Sequence, residues 1–185
     1  MKQTPSQTVG PFFSLGLTRN PLNVLVSESA EGKHIRIEGQ IFDGDDKPVP
    51  DAMIEVWQAN SYGRYNHPED KQEKPLDRDF LGWGRCGTDE RGLYWFETIK
   101  PGPVPGPSGR PQAPHIVLGI LGRGILTRLV TRLYFDDEAA NAQDPILEMV
   151  PADRRPTLVA RRVADGRYRF DIVLQGQDET VFFDV

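Results

Sequence analysis

The chain has 185 residues, of which 38% are hydrophobic and 26% charged, so it can bury one folded core and is not a disordered segment. Its 27 acidic residues exceed its 22 basic ones, and the net charge of -5 argues against nucleic acid as a partner. Its 18 glycines and 16 prolines are more than a helical bundle tolerates, which favours an all-β fold.

Cys86 is the only cysteine of the chain, so neither an internal disulfide nor a thiolate cluster can form. A metal would therefore need nitrogen or oxygen ligands, and we expect a reducing compartment, the cytoplasm. The start of the chain shows no basic region followed by an apolar run, and no stretch approaches the roughly 18 apolar residues of a membrane span. We expect no membrane association.

Residues 1–32 form the first predicted unit, an N-terminal arm. Pro5, Pro11 and Pro21 interrupt it, and it has little periodicity, so we expect it to be extended. Its apolar side chains, among them Phe12 and Phe13, would not stay in water. We expect the arm to dock on the following domain or on a partner chain.

Residues 33–185 form the second predicted unit, a single β-sandwich domain. Alternating or continuous apolar patterns predict its strands at 34–42, 52–58, 93–99, 115–121, 126–135, 157–163, 167–174 and 180–183. A short helix is predicted over 136–142 and a helical turn from Pro151, while the six prolines of 100–114 predict a loop. About eight strands with one or two helical turns indicate a sandwich.

The three histidines, His34, His67 and His115, lack the spacing of a metal motif. Isolated histidines are usually structural, although His115 stands out because the proline-rich loop would hold it at the start of a strand. Arg128 and Arg132 share parity on one predicted strand, so their guanidinium groups would leave the same face. Such a pair suits a carboxylate, but solvated arginines are the commoner explanation.

Several long segments, in the right order, resemble the intradiol ring-cleavage dioxygenases, and most closely the α-type chains of the two-chain members of that family. The matching segments are 4–11 (TPSQTVGP), 55–59 (EVWQA), 98–102 (TIKPG), 113–116 (APHI), 131–138 (TRLYFDDE) and 168–176 (YRFDIVLQG). The resemblance covers nearly the whole chain and implies the fold of that family.

The resemblance also implies that this chain holds no metal. Catalytic chains of the family bind Fe(III) through two tyrosines and two histidines. Tyr65 and His115 match the first tyrosine and the first histidine, whereas Val104 and Val117 stand where the second tyrosine and second histidine belong. Two of four donors are missing, so the resemblance implies a vestigial metal site.

The resemblance implies that this chain contributes residues to the active site of a partner subunit. An α-type chain pairs with an iron-bearing β subunit of the same fold in a higher (αβ)n assembly, and Fe(III) belongs to that partner. The assembly cleaves protocatechuate with O2 between its two hydroxyl-bearing carbons, giving 3-carboxymuconate in aromatic catabolism. By motif, Thr8, Gly10, Pro11 and Arg132 are the residues of this chain that would line the pocket of the partner.

Two other functions stay open from the sequence. A self-sufficient intradiol dioxygenase would need unforeseen ligands in place of Val104 and Val117, and the donor count stands against it. A non-enzymatic sandwich module would bind carbohydrate or protein through its aromatic loops, but the lack of disulfides and of a secretion signal argues against this class.

Overall fold

A computed structural model describes residues 8–10 and 12–184. In chain order the strands are β1 His34–Phe42, β2 Ala52–Trp57, β3 Trp83–Gly87, β4 Leu93–Ile99, β5 Val104–Pro105, β6 Pro111–Gln112, β7 His115–Gly122, β8 Leu129–Phe135, β9 Val159–Ala164, β10 Arg167–Arg169 and β11 Ile172–Val173. The helical elements are one π-helical turn, Ser14–Thr18, and the 3-10 turns Pro107–Gly109, Ala139–Gln143, Leu147–Met149 and Arg155–Leu158. The prediction of an all-β fold is confirmed.

Nine strands form one nearly closed sheet, in the order β11-β1-β10-β9-β8-β7-β2-β3, with β4 paired to β1. β5 and β6 form a separate two-stranded pair. Strand β9 joins the half that contains β1 and β4 to the half that contains β2, β7 and β8. Alternate residues of both halves, such as Ile37 and Phe96 on one side and Ile54 and Leu118 on the other, are buried in one core.

Two predicted strands differ from the structure for a local reason. The stretch 167–174 splits into β10 and β11, because the Asp171 carboxylate accepts the Gln40 N–H at 2.9 Å in place of a ladder bond. The strand prediction for 180–183 is wrong. Its backbone bonds partly to hydroxyl groups instead, since Val181 N–H donates to Thr157 Oγ1 at 3.2 Å and the Val181 carbonyl accepts from Thr131 Oγ1 at 2.7 Å.

The segment before β1 lies against the sheet. Leu22 N–H donates to the Arg85 carbonyl at 2.7 Å, and Leu25 N–H donates to the Glu97 carbonyl at 2.8 Å. The Leu25 side chain is buried in the core. The segment is not extended throughout, because Ser14–Thr18 turns as a π-helix. The division into an arm, 1–32, and a domain, 33–185, stays a prediction.

The helical elements are short turns. None of the helices within 8–10 and 12–184 has the length and apolar character needed to cross a bilayer.

Candidate functional site

One face of the sheet, across β2, β7 and β8, brings five side chains together. Trp57 of β2 pairs with Val117 of β7, which pairs with Arg132 of β8. His115 pairs with Tyr134 in the same two strands, two residues along. Cross-strand partners and alternate residues share a face, so all five project from the same side. We call this set, together with the residues that contact it, the candidate site.

His115 presents an acceptor nitrogen to the candidate site. The side chain is buried, and its Nδ1 lies 2.7 Å from the Ala113 carbonyl, which can only accept. Nδ1 therefore carries the proton, and Nε2 keeps its lone pair. Burial lowers the pKa of His115 to about 4, and the positive charge of Arg132 acts in the same direction, so the imidazole is neutral at physiological pH.

Tyr65 reaches the candidate site from the long loop after β2. Its ring stacks on Trp57 with 5.7 Å between centroids and 4° between planes, and its N–H donates to Asp70 at 2.8 Å. Burial raises the pKa of the Tyr65 hydroxyl, whereas the Arg132 guanidinium opposes this shift. Tyr65 is thus a neutral phenol within the electrostatic reach of Arg132.

A glycine lets the Tyr65 loop approach the proline-rich segment. Gly63 has a φ of +78°, and a Cβ built on it would lie 1.9 Å from the Pro103 carbonyl oxygen. Neither the backbone conformation nor the space admits a side chain. The loop that carries Tyr65 therefore lies directly against the residue that precedes Val104.

Arg132 is half-buried at the centre of the candidate site. Its Nη1 donates to Gln112 Oε1 at 2.6 Å and to the Tyr134 hydroxyl at 3.4 Å. The guanidinium carbon lies 5.8 Å from the centre of the Phe183 ring. Gln112 is itself fixed, because its Nε2 donates to the Pro105 carbonyl at 2.8 Å.

The Asp144 carboxylate connects several parts of the candidate site through hydrogen bonds. It is fully buried and accepts backbone N–H groups of Ala113, Ile146 and Leu147 at 2.7 to 2.9 Å, as well as the Tyr134 hydroxyl at 3.2 Å. This single carboxylate joins the entry to β7, the Tyr134 side chain and the turn that begins at Leu147. It holds a carboxylate charge in the interior through direct hydrogen bonds.

The four positions that the resemblance matches to family ligands lie on or near this sheet face. Val104 is buried and pairs with Gln112, the residue that accepts from Arg132, while Tyr65, His115 and Val117 lie on or beside the sheet face. Only the Tyr65 oxygen and His115 Nε2 are donor atoms among them, because valine offers none. A ferric ion, which needs hard anionic donors, does not fit this set. In the described part of the chain, no group of three or more His, Cys, Asp or Glu residues is arranged to hold a metal ion.

Thr8 lies apart from Arg132. Thr8 Oγ1 accepts the Gly124 N–H at 3.0 Å and approaches the Gly122 carbonyl at 3.4 Å. Gly122 ends β7 five residues beyond Val117, about 16 Å along the strand. Gly10 is exposed, and a Cβ added to it would have no atom within 4 Å, while the prediction for Pro11 lies outside the described residues.

A cavity of about 650 Å³ opens beside Arg132, and its walls are mainly apolar. Val117, Val150 and Phe183 contribute to it, with Arg128 and Arg132 as the basic members. Both arginines that share parity in the sequence therefore border the same cavity. The Arg128 guanidinium lies 3.6 Å from the Glu55 carboxylate, so part of its charge is already compensated.

Sequence reasoning missed four members of the candidate site: Trp57, Gln112, Tyr134 and Asp144. Trp57 and Tyr134 carried a signal, because each lies in a segment that resembles the family, and Tyr134 also shares strand parity with Arg132. Gln112 and Asp144 carried none, since each reaches the site from a turn or a short strand that no periodicity marks.

Comparison with known proteins places the chain in a family. A dioxygenase family model matches residues 9–176. The protocatechuate 3,4-dioxygenase alpha chain of Burkholderia cepacia is 46% identical over all of this chain and 98% of its own length. The corresponding chain of Pseudomonas putida is 43% identical over all of this chain and 97% of its own. The protocatechuate 3,4-dioxygenase beta chain of Burkholderia cepacia is 42% identical over 80% of this chain and 67% of its own.

Solved structures share the fold of this chain. The dioxygenase domain of a dioxygenase carbohydrate-binding protein fusion from Streptomyces sp. SirexAA-E aligns over 95% of this chain and 99% of that domain, with a TM-score of 0.65 and 28% identity. Catechol 1,2-dioxygenase of Acinetobacter shares the fold with a TM-score of 0.64, over 88% of this chain and 60% of that enzyme. The chain belongs to the intradiol dioxygenase family, whose members depend on Fe(III).

Proposed function

We propose that this chain is the α subunit of a protocatechuate 3,4-dioxygenase and does not itself hold the iron. The observation that carries the proposal is the donor set of the candidate site, where Tyr65 and His115 stand beside Val104 and Val117. Identity to an alpha chain over the full length, and lower identity to a beta chain, support the same assignment. The ring-cleaving chemistry then belongs to the Fe(III) centre of a β-type partner of the same fold.

The contribution of this chain is the shape and charge of the partner's substrate pocket. Only Nη1 of Arg132 has hydrogen-bond acceptors within the described residues, so its other N–H groups border the open cavity. A guanidinium in that position suits the carboxylate of protocatechuate. Thr8, Gly10 and Pro11 of the arm are proposed to add backbone and hydroxyl contacts at another part of that pocket; of these, Thr8 lies at the chain reversal, where its Oγ1 accepts the Gly124 N–H.

Metal analysis of the purified subunits tests the proposal. We expect the full chain produced alone to contain negligible iron and to show no oxygen uptake with protocatechuate. Co-production with a β-type chain should give a stable complex with one iron per αβ pair and ring cleavage. Near-stoichiometric iron in the chain alone, with a visible tyrosinate band, would contradict the proposal and favour a self-sufficient dioxygenase.

The stoichiometry and the product of the reaction distinguish the proposed function from that of a binding module. The complex should consume O2 with protocatechuate in a one-to-one ratio and release 3-carboxymuconate, detected by ultraviolet absorbance and mass spectrometry. If the β-type chain is equally active without this chain, the proposed contribution to the pocket is wrong.

A further inference from the structure

We infer that Arg132 places a fixed positive charge where a cation would bind. This charge, in addition to the missing donor atoms, keeps the candidate site free of metal. The inference rests on the proposed function, because it concerns a site that has lost its iron. It goes beyond that function by naming a residue whose removal is needed before metal can return.

The Arg132 side chain lies next to the positions that the resemblance matches to family ligands. Val117 and Arg132 are direct cross-strand neighbours, and His115 is two residues from Val117 on the same face. Gln112, which accepts from Arg132 Nη1 at 2.6 Å, is the cross-strand partner of Val104. Val117, His115 and Val104 thus adjoin the Arg132 strand or its hydrogen-bond partner Gln112, and Tyr65 reaches the same face by stacking on Trp57, the cross-strand partner of Val117.

The charge is also held in place. Gln112 is fixed at both ends of its amide, to Arg132 and to the Pro105 carbonyl. Tyr134, the second acceptor of Arg132, donates its proton to the buried Asp144 carboxylate at 3.2 Å. The Phe183 ring packs at 5.8 Å from the guanidinium carbon. A side chain bound from three directions does not swing aside at low free-energy cost to admit an ion.

The electrostatic effect follows from the chemistry of arginine. A guanidinium does not lose its proton at any physiological pH, so its charge cannot be removed to make room for a cation. Repulsion scales with the charge of the ion, and a ferric ion carries three times the charge of a monovalent one.

Restoring the donors with and without Arg132 tests the inference. The double variant Val104→Tyr with Val117→His supplies all four family donors, and the triple variant adds Arg132→Gln, which keeps a polar amide but removes the charge. Each full-length chain is loaded with ferrous iron without oxygen, exposed to air and desalted. Iron is then measured by mass spectrometry, and the tyrosinate band by visible absorbance.

We expect the double variant to stay at the iron content of the unmodified chain and the triple variant to bind at least about tenfold more. A matched variant that carries Arg132→Lys instead keeps the charge and should stay low. Equal iron in the double and triple variants would overturn the inference, and so would iron in the Lys variant at the level of the Gln variant. A folded triple variant without iron would also overturn it.

A single substitution keeps the inference testable if the triple variant does not fold. In the otherwise unmodified chain, Arg132→Gln should raise the affinity for Zn²⁺, measured by calorimetry, at least about tenfold. Unchanged affinity in a folded variant would overturn the inference. Iron in the unmodified chain would instead contradict the proposed function, so the two failures are distinguishable.

Discussion

Val117 and Arg132 lie opposite each other on β7 and β8, an aliphatic side chain beside a guanidinium on the face that carries His115. Val117 offers no atom that could bind a metal, and Arg132, directly opposite, carries a positive charge. Arg132 also borders the apolar cavity, and only its Nη1 has acceptors among the described residues, so its other N–H groups are available to a ligand.

Arg132→Gln in the assembled αβ enzyme should raise the KM for protocatechuate about tenfold, because a charge-assisted bond to the carboxylate is lost. The KM for an unsubstituted catechol, which has no carboxylate, should change little. Steady-state oxygen uptake with both substrates measures the difference. Arg132→Lys is the matched control and should fall between the two. Equal changes for both substrates would show that Arg132 does not contact the carboxylate.

Asp144→Ala should lower the free energy of unfolding by about 3 kcal/mol, because three backbone N–H groups and the Tyr134 hydroxyl lose a charged acceptor in the interior. Urea unfolding of the full chain, followed by tryptophan fluorescence, measures the change. Asp165→Ala is a suitable control, since that carboxylate is largely exposed and its ion pairs are screened by solvent, so the free energy of unfolding should change far less. Similar losses in the two variants would contradict a structural role for Asp144.

The strands were predictable where one face of the sheet is buried. β1 and β4 have the predicted bounds, because isoleucines recur at alternate positions of β1 and β4 opens with the apolar and aromatic run Leu93–Phe96. For β3 the sequence shows only an alternation of glycines and aromatics over 80–85, which gives no strand bounds, and the pairing of Trp83–Gly87 comes from Ile54 and its neighbours on β2. Its strand state is a tertiary effect, which a local pattern does not carry.

The candidate site was predictable only in part, for a related reason. Tyr65, Val104, His115 and Val117 came from motif matches, and their roles stay a prediction, although His115 and Val117 share one sheet face and Val104 pairs with Gln112. Asp144 reaches that point from a turn, through a side chain that bonds backbone groups up to 31 residues away. A sequence shows a residue type but not such a partner, so the buried carboxylate could not be identified before the fold was known.

Gly63→Ala should destabilise the chain by about 2 to 3 kcal/mol, since both the positive φ and the Pro103 carbonyl oppose a side chain there. Gly109→Ala is the matched control, because Gly109 has a similar φ of +76° but open space around it. That variant should lose only about 1 kcal/mol. Thermal unfolding of both variants measures the difference. If Gly109→Ala is the more harmful change, the close approach at Pro103 is not what constrains the loop.

We expect the stability of the folded chain to decrease at low pH because His115 becomes protonated. Its pKa is depressed from 6.5 to about 4 in the folded state, mainly by burial. Above the unfolded value neither state binds the proton, so stability is independent of this group. Below it the unfolded chain takes up the proton first, and stability is lost progressively as the pH falls towards the folded value.

The expected loss from His115 is about 2 kcal/mol between about pH 7.5 and about pH 5, of a total near 3 kcal/mol. Urea unfolding at the two pH values measures it, with His115→Gln as the reference, because a glutamine does not titrate and both proteins share every other titrating group. The unmodified chain should lose more stability than the variant over this interval. If the unmodified chain and the His115→Gln variant lose the same stability, burial does not keep the imidazole neutral. The pH dependence would then not support an Nε2 lone pair in the candidate site.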